Sequence, residues 1–310
     1  MLAIAVGLVV LLLGAHLLVR GGTGLAAWLG IRPMVIGLTV VSLGTSVPEL
    51  AVGIDAAVGG SPGLAIGNIV GTNLVNLLLI LGLSAVLAPV VFETQTLRFD
   101  LPAMTVAAVV LVLASLDGRL TRADGLLLLA GAVAYTWALV LISRRGGPQP
   151  EPVDAPVARP VPDALSLLGG IVTIVVGAEL LVDGAVRTAD SLGASETVIG
   201  LTVVAIGTSA PELVTTLVST WRGDRAIALG NLLGSSIYNI AFVLGLTVVV
   251  APGGLAVPRE VLASDLLLMM VVTLAAIPVF ASGRRLSRLE GGAFVAVYLG
   301  YLAWLLVTRT

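Results

Sequence analysis

Apolar residues run along this chain in long windows separated by short breaks of charge, proline or glycine. Read between those breaks, ten candidate spans fall at roughly 2–28, 33–59, 62–88, 100–116, 122–143, 164–187, 195–221, 225–251, 260–281 and 289–307. A helix that crosses hydrocarbon needs about 20 predominantly apolar residues. The pattern therefore predicts an all-α integral membrane protein of about ten transmembrane helices. The first window, Met1–Val19, has no basic residue ahead of it, and Arg20 follows it. A signal peptide carries its positive charge before the apolar run, so this segment reads as a first transmembrane helix.

One long polar interruption occurs, around Ser143–Asp163, and it contains RRGGPQPEPVDAPVARPVP. Its proline density makes it an extended linker that cannot continue a helix. It divides the chain into an N-terminal five-helix repeat at 1–143, a linker at 144–163 and a C-terminal five-helix repeat at 164–310.

The two halves match each other. Residues 37–50 read GLTVVSLGTSVPEL and residues 200–213 read GLTVVAIGTSAPEL; residues 67–83 read GNIVGTNLVNLLLILGL and residues 230–246 read GNLLGSSIYNIAFVLGL. A single offset of 163 aligns both pairs without a gap and gives 20 identities in 47 positions. Shared Gly, Pro, Glu and Asn at fixed places do not follow from apolar composition alone. An odd number of spans per repeat makes the second half enter the membrane from the opposite side. That is an inverted-repeat architecture, in which binding sites lie near the midplane where the repeats meet.

Composition sharpens this picture. The chain is 58% hydrophobic and 11% charged, too little charge for the surface of a soluble domain of this length. Cysteine is absent, which removes disulfides, thiol nucleophiles and Cys-based metal sites. All 16 cationic side chains are Arg, and eleven of them fall in loops on the side that includes the linker, against five on the other. The positive-inside rule then predicts a cytoplasmic linker with both termini outside.

The candidate chemistry lies inside the apolar windows. In GTSVPE at 44–49 and GTSAPE at 207–212, Pro48 and Pro211 cannot donate to the carbonyls of Gly44 and Gly207, so each span is predicted to break there. Backbone left unpaired at membrane depth is tolerated where it lines a cavity or meets a ligand. Glu49 and Glu212 follow the breaks in the first turn of the next half-helix, where the helix dipole favours an ionised carboxylate. Thr45, Ser46, Thr208 and Ser209 bring hydroxyls to the same points. The third and eighth spans add Thr72 with Asn76 and Ser235 with Asn239, each pair four residues apart. Helices 2, 3, 7 and 8 are accordingly expected to be broken. Every candidate donor is an oxygen or an amide, which suits hard cations such as Ca²⁺ and Na⁺. A buried Glu that only bonds a neighbouring helix is the plainer alternative, but intramembrane carboxylates are costly and usually functional. His16 reads as a satisfied helix residue. Glu179, its counterpart in the second half, suits either an aqueous entrance or an interfacial ion pair. Asp55 has an apolar counterpart, Val218, and Asp100 and Asp265 open spans as dipole-favoured acids.

With these motifs, the chain resembles the cation/Ca²⁺ exchanger superfamily, and most closely its prokaryotic Na⁺/Ca²⁺ exchangers. The doubled G-T-S-x-P-E and G-N-x-x-G-[ST]-x-x-x-N carry the resemblance, which extends over both halves. The resemblance implies that Glu49 and Glu212 are central Ca²⁺ ligands, aided by backbone oxygens of Thr45 and Thr208. It implies Na⁺ sites on the same carboxylates with Ser46, Ser209, Thr72 and Ser235 and the backbone carbonyls near Ser42 and Ala205, with Asn76 and Asn239 flanking. Close prokaryotic relatives can carry Asp where this chain has Asn239. With amides at both flanking positions, the centre holds two formal negative charges, enough for one Ca²⁺ or two Na⁺. The G-N-A-x-E type motif of the proton-coupled branch is missing. The linker is too short for the regulatory Ca²⁺-binding insertion of eukaryotic relatives.

The function expected from this reading is antiport of Ca²⁺ against Na⁺ by alternating access, with the transported ions as substrates, the lipid bilayer as surroundings, and no cofactor or nucleic-acid partner. Ca²⁺/H⁺ exchange on the same scaffold remains open, because two Glu can carry protons as well as metal. An intramembrane enzyme is disfavoured: the motifs hold no pair of Asp, and His16 sits in no catalytic pattern. A passive channel fits less well than a carrier, since broken helices in inverted repeats serve two-sided access.

Overall fold

The computed structural model describes residues 2–145, 159–191 and 205–308. Most of the linker, and residues 195–204 of the seventh predicted span, lie outside these. The helices are α1 (Leu2–Leu29), α2 (Pro33–Thr45), α3 (Val47–Val58), α4 (Pro62–Leu87), α5 (Thr96–Ser115), α6 (Arg122–Arg145), α7 (Pro160–Ser191), α8 (Ala205–Thr208), α9 (Ala210–Arg222), α10 (Arg225–Val250), α11 (Val261–Ala281) and α12 (Arg288–Thr308). Among the described residues, eight are long and apolar enough to cross a membrane, and nine spans result if α2 and α3 are one broken span. The third and eighth spans depart from the expected break. α4 and α10 run on without a gap, and their irregularity is a π-helical stretch at Val75–Ile80 and Asn239–Leu244. No proline interrupts either stretch, so one extra residue per turn is absorbed within the helix.

The chain divides into two compact units. The first comprises Met1–Thr45, Trp137–Gly234 and Ala296–Thr310, and the second Ser46–Thr136 and Ser235–Val295.

In the first unit, α1 lies along α7 on glycines spaced seven apart. Gly7 faces Leu181, Gly14 faces Ile174 and Gly21 faces Leu167, so the two helices run antiparallel. Gly170, Gly177 and Gly184, at the same offset of 163, face Leu18, Leu11 and Ile4 in return. The first long helix of each half therefore packs antiparallel on its counterpart. Leu11, Ala15, Leu18 and Val19 of α1 join Leu167 and Ile174 of α7, Ala210 of α9 and Ile227 of α10 in one apolar core. α2 approaches the start of α10 equally closely: a Cβ on Gly230 would lie 2.6 Å from the Met34 carbonyl oxygen.

This packing yields a prediction. A Cβ on Gly177 would sit 2.7 Å from the Leu11 backbone nitrogen, and backbone cannot step aside as a side chain can. Gly177→Ala is expected to cost about 1–3 kcal/mol of stability by overpacking, read as a lower melting temperature in detergent. Gly169→Ala, where nothing lies within 4 Å of the added carbon, is expected to leave it unchanged.

In the second unit, α3 packs on the first part of α4 and on the π-helical stretch of α10, and α5 packs on α11. Four two-residue strands join the loops. β1 (Val90–Val91) pairs antiparallel with β4 (Arg285–Leu286), and β2 (Arg119–Leu120) pairs with β3 (Leu255–Ala256). The loop after the third span thus meets the loop before the tenth, and the loop after the fourth meets the one after the eighth. These pairings put loops of like parity on one side, as alternating spans demand.

Candidate ion-binding site

The two motif breaks have the same backbone geometry. Ser46 has φ −84° and ψ 9°, and Ser209 has φ −85° and ψ 6°. Each break is a single residue: α2 ends at Thr45 and α3 begins at Val47, while α8 ends at Thr208 and α9 begins at Ala210. Pro48 and Pro211 occupy the second position of the new helix, where a missing N–H costs nothing. Glu49 and Glu212 come next, in the first turn, and both are 0% exposed. The positive end of the helix dipole offsets part of the cost of an ionised carboxylate there.

In the second unit, Ser46, Glu49, Thr72, Asn76, Ser235 and Asn239 are all buried. The packing of α3 on α4 and on Asn239–Leu244 brings the elements that carry them together. Asn76 and Asn239 lie on the two π-helical stretches, and both are 0% exposed. Among the described residues, neither the nitrogen nor the oxygen of either amide has a hydrogen-bond partner. Leaving a buried polar group unpaired costs about 1–3 kcal/mol, so two such amides at matched positions are candidates to meet water or an ion.

The first unit holds Ser42, Thr45, Thr208, Ser209 and Glu212, all buried, and Ala205, which opens α8. The Ser42 hydroxyl donates to the Gly37 carbonyl at 2.6 Å and lies 3.1 Å from the Asn231 carbonyl, so that side chain ties α2 to α10. The Thr45 hydroxyl donates to Asn231 Oδ1 at 3.1 Å. The Ser209 hydroxyl has no partner among the described residues.

Two residues in the repeated motif carry a role that sequence reasoning missed. Asn68 Nδ2 donates to the Glu49 carbonyl at 3.2 Å, and Asn231 Nδ2 to the Glu212 carbonyl at 3.5 Å. Both stand 19 residues after the Glu they hold, at the same offset between halves. Asn231 also donates to Thr216 Oγ1 at 3.2 Å, which joins Thr45, Glu212 and Thr216 through one amide. The G-N of each motif was the visible signal. Asn231→Ala leaves Thr45 and Thr216 without that partner. It is expected to lower Ca²⁺ affinity about tenfold, for a loss near 1–3 kcal/mol shared between stability and binding, measured by titration of the purified protein.

Other polar residues lie elsewhere. Asp55 and Glu179 are exposed, and His16 Nδ1 lies 2.8 Å from an Arg222 guanidinium nitrogen. Asp100 is buried and accepts from the Tyr135 hydroxyl at 3.1 Å. Among the described residues no three His, Cys, Asp or Glu side chains gather at one point. Each carboxylate is accompanied in its own unit by buried hydroxyl and amide side chains, oxygen donors of the kind that hard ions accept.

Buried carboxylates at matched breaks in long apolar helices are the kind of intramembrane polar site that membrane transporters of cations carry. The sodium/calcium exchanger protein family matches residues 1–141 and 163–307, and the chain belongs to that family of antiporters. It is 36% identical over 308 residues to the putative antiporter CaxA of Alkalimonas amylolytica, covering 96% of each chain. It is 30% identical over 347 residues to the sodium/calcium exchanger MaX1 of Methanosarcina acetivorans, covering 97% of each. Among solved structures it is similar to the sodium-calcium exchanger NCX_Mj, with a TM-score of 0.84, 29% identity and coverage of 98% of this chain and 97% of that one.

Proposed function

We propose that the protein exchanges Ca²⁺ for Na⁺ by alternating access, with Glu49 and Glu212 as the ion-binding carboxylates. The observation that carries this is the matched pair of breaks at Ser46 and Ser209, which sets a buried Glu into the first turn of each following helix. Two formal charges balance one Ca²⁺ or two Na⁺, so the same oxygens serve either load in turn. Thr45 and Thr208 contribute backbone oxygens. Ser46, Ser209, Thr72 and Ser235, with the carbonyls near Ser42 and Ala205, complete the Na⁺ positions, and Asn76 and Asn239 flank them. The halves 1–143 and 164–310 act as inverted repeats, with the 144–163 linker in the cytoplasm and both termini outside. α1 and α7, packed on each other through glycine, move as a pair to switch access. The naming of the relative MaX1 as a sodium/calcium exchanger supports the choice of ions, as do the structures of NCX_Mj soaked with Na⁺ and Ca²⁺.

The test is binding of radiolabelled Ca²⁺ to the purified protein at fixed pH. Competitive displacement by Na⁺, with little change across moderate shifts of pH, is expected. Displacement by protons and not by Na⁺ would move the coupling ion to H⁺ on the same scaffold.

A further inference from the structure

The helix that carries Glu212 in its first turn, α9, has a row of hydroxyls that its counterpart α3 lacks. Positions 212, 215, 216, 219 and 220 fall on one face of α9 at helical spacing, and they are Glu, Thr, Thr, Ser and Thr. Thr215, Thr216 and Ser219 are 0% exposed. The opposite face carries Val214 and Val218, which pack on the apolar core that contains Leu11, Ala15 and Leu18. In α3 the matching positions after Glu49 are Val52, Gly53, Ala56 and Ala57, none with a side-chain oxygen.

Two of these hydroxyls, Thr215 Oγ1 and Ser219 Oγ, have no hydrogen-bond partner among the described residues. Buried hydroxyls normally find a partner, and in a helix the carbonyl four residues back is at hand. Val and Ala fill the same places in α3 without that cost, so packing alone does not call for oxygen here. Polar side chains at membrane depth mark ion pathways, and hydroxyl oxygen replaces part of the hydration shell of a hard cation. The row starts at Glu212 and runs toward the end of α9, where Gly223 turns the chain in the left-handed region (φ 83°) and Arg222 pairs with Asp224 at 3.7 Å.

We infer that Thr215 and Ser219 are transit sites for partly dehydrated Na⁺ or Ca²⁺ passing between Glu212 and the Arg222–Asp224 end of α9. The corresponding face of α3 offers no such sites. The access routes of the two halves are then chemically unequal although their motifs match. The inference rests on the exchanger reading of Glu212.

The absence of cysteine from the chain makes a direct test available. Single-cysteine variants T215C, S219C, V52C and A56C are reconstituted in vesicles and exposed to a membrane-impermeant thiol reagent. D224C reports which vesicle face the Arg222–Asp224 loop occupies. Labelling is read by mass on the recovered protein, so it does not depend on transport, and monodisperse elution in detergent certifies folding. Residues 215 and 219 are expected to label from the face that labels D224C, at least about tenfold faster than 52 and 56, because thiol reactivity follows access. Saturating Ca²⁺ or Na⁺ is expected to slow that labelling. Folded T215C and S219C that resist the reagent with and without ions, or that label no faster than V52C and A56C, would overturn the inference. Failure of the parent protein to exchange Ca²⁺ for Na⁺ is a separate result, and it would overturn the exchanger reading instead.

Discussion

Glu49→Gln and Glu212→Gln are each expected to abolish Na⁺-driven Ca²⁺ uptake. The swap keeps shape and burial but removes the negative charge that, in the proposed function, attracts the cation. Truncating one partner of a buried charge pair costs about 2–5 kcal/mol, which is roughly thirty- to several-thousand-fold in affinity. Neither variant is expected to unfold. Each Glu is 0% exposed at a helix start, and a neutral amide there is cheaper to bury than a carboxylate without its cation. Retained fold with lost uptake is therefore the expected pair of results, read by thermal melting and by flux on the same preparations. Uptake at the parent rate in both variants would remove the carboxylates from the mechanism.

Asn76→Leu and Asn239→Leu separate binding from packing. If these amides were structural, removing them would destabilise the fold. With none of their atoms bonded among the described residues, an apolar residue of similar volume is expected to leave the melting temperature unchanged or raise it. Ca²⁺ affinity is expected to fall by about 1–3 kcal/mol, roughly five- to 150-fold. Any stabilisation that Ca²⁺ confers on melting shrinks with it. A fall in melting temperature without ions, at unchanged affinity, would reassign both residues to the scaffold.

Much of this site is visible in the sequence because proline and glutamate act locally. Pro48 and Pro211 dictate where a helix must restart, and the structure restarts it within one residue of each. The doubled motif at one offset identifies the second site once the first is read. What depends on partners distant in the chain is not visible in the same way. Asn68 and Asn231 stand in the quoted motifs, yet their hold on the Glu carbonyls requires two helices to fold back on each other. The π-helical stretches at Asn76 and Asn239 leave no mark, since neither proline nor glycine interrupts them and the extra residue is absorbed by hydrogen bonding alone. The glycines at 7, 14 and 21 and at 170, 177 and 184 are plain as a spacing of seven. Only their antiparallel contact reveals that each set packs on the other's helix. Asp100 reads as a dipole-favoured acid at a helix start, and the structure adds the Tyr135 hydroxyl from a helix 35 residues away.

The proposed coupling of Ca²⁺ to Na⁺ runs through the two buried carboxylates, Glu49 and Glu212. Its most direct test is uptake of radiolabelled Ca²⁺ by proteoliposomes loaded with Na⁺ and diluted into Na⁺-free buffer, with pH equal on both sides and choline-loaded vesicles as the control. Uptake only from Na⁺-loaded vesicles is the predicted result. Equal uptake under both loadings, responding instead to an imposed pH gradient, would contradict it.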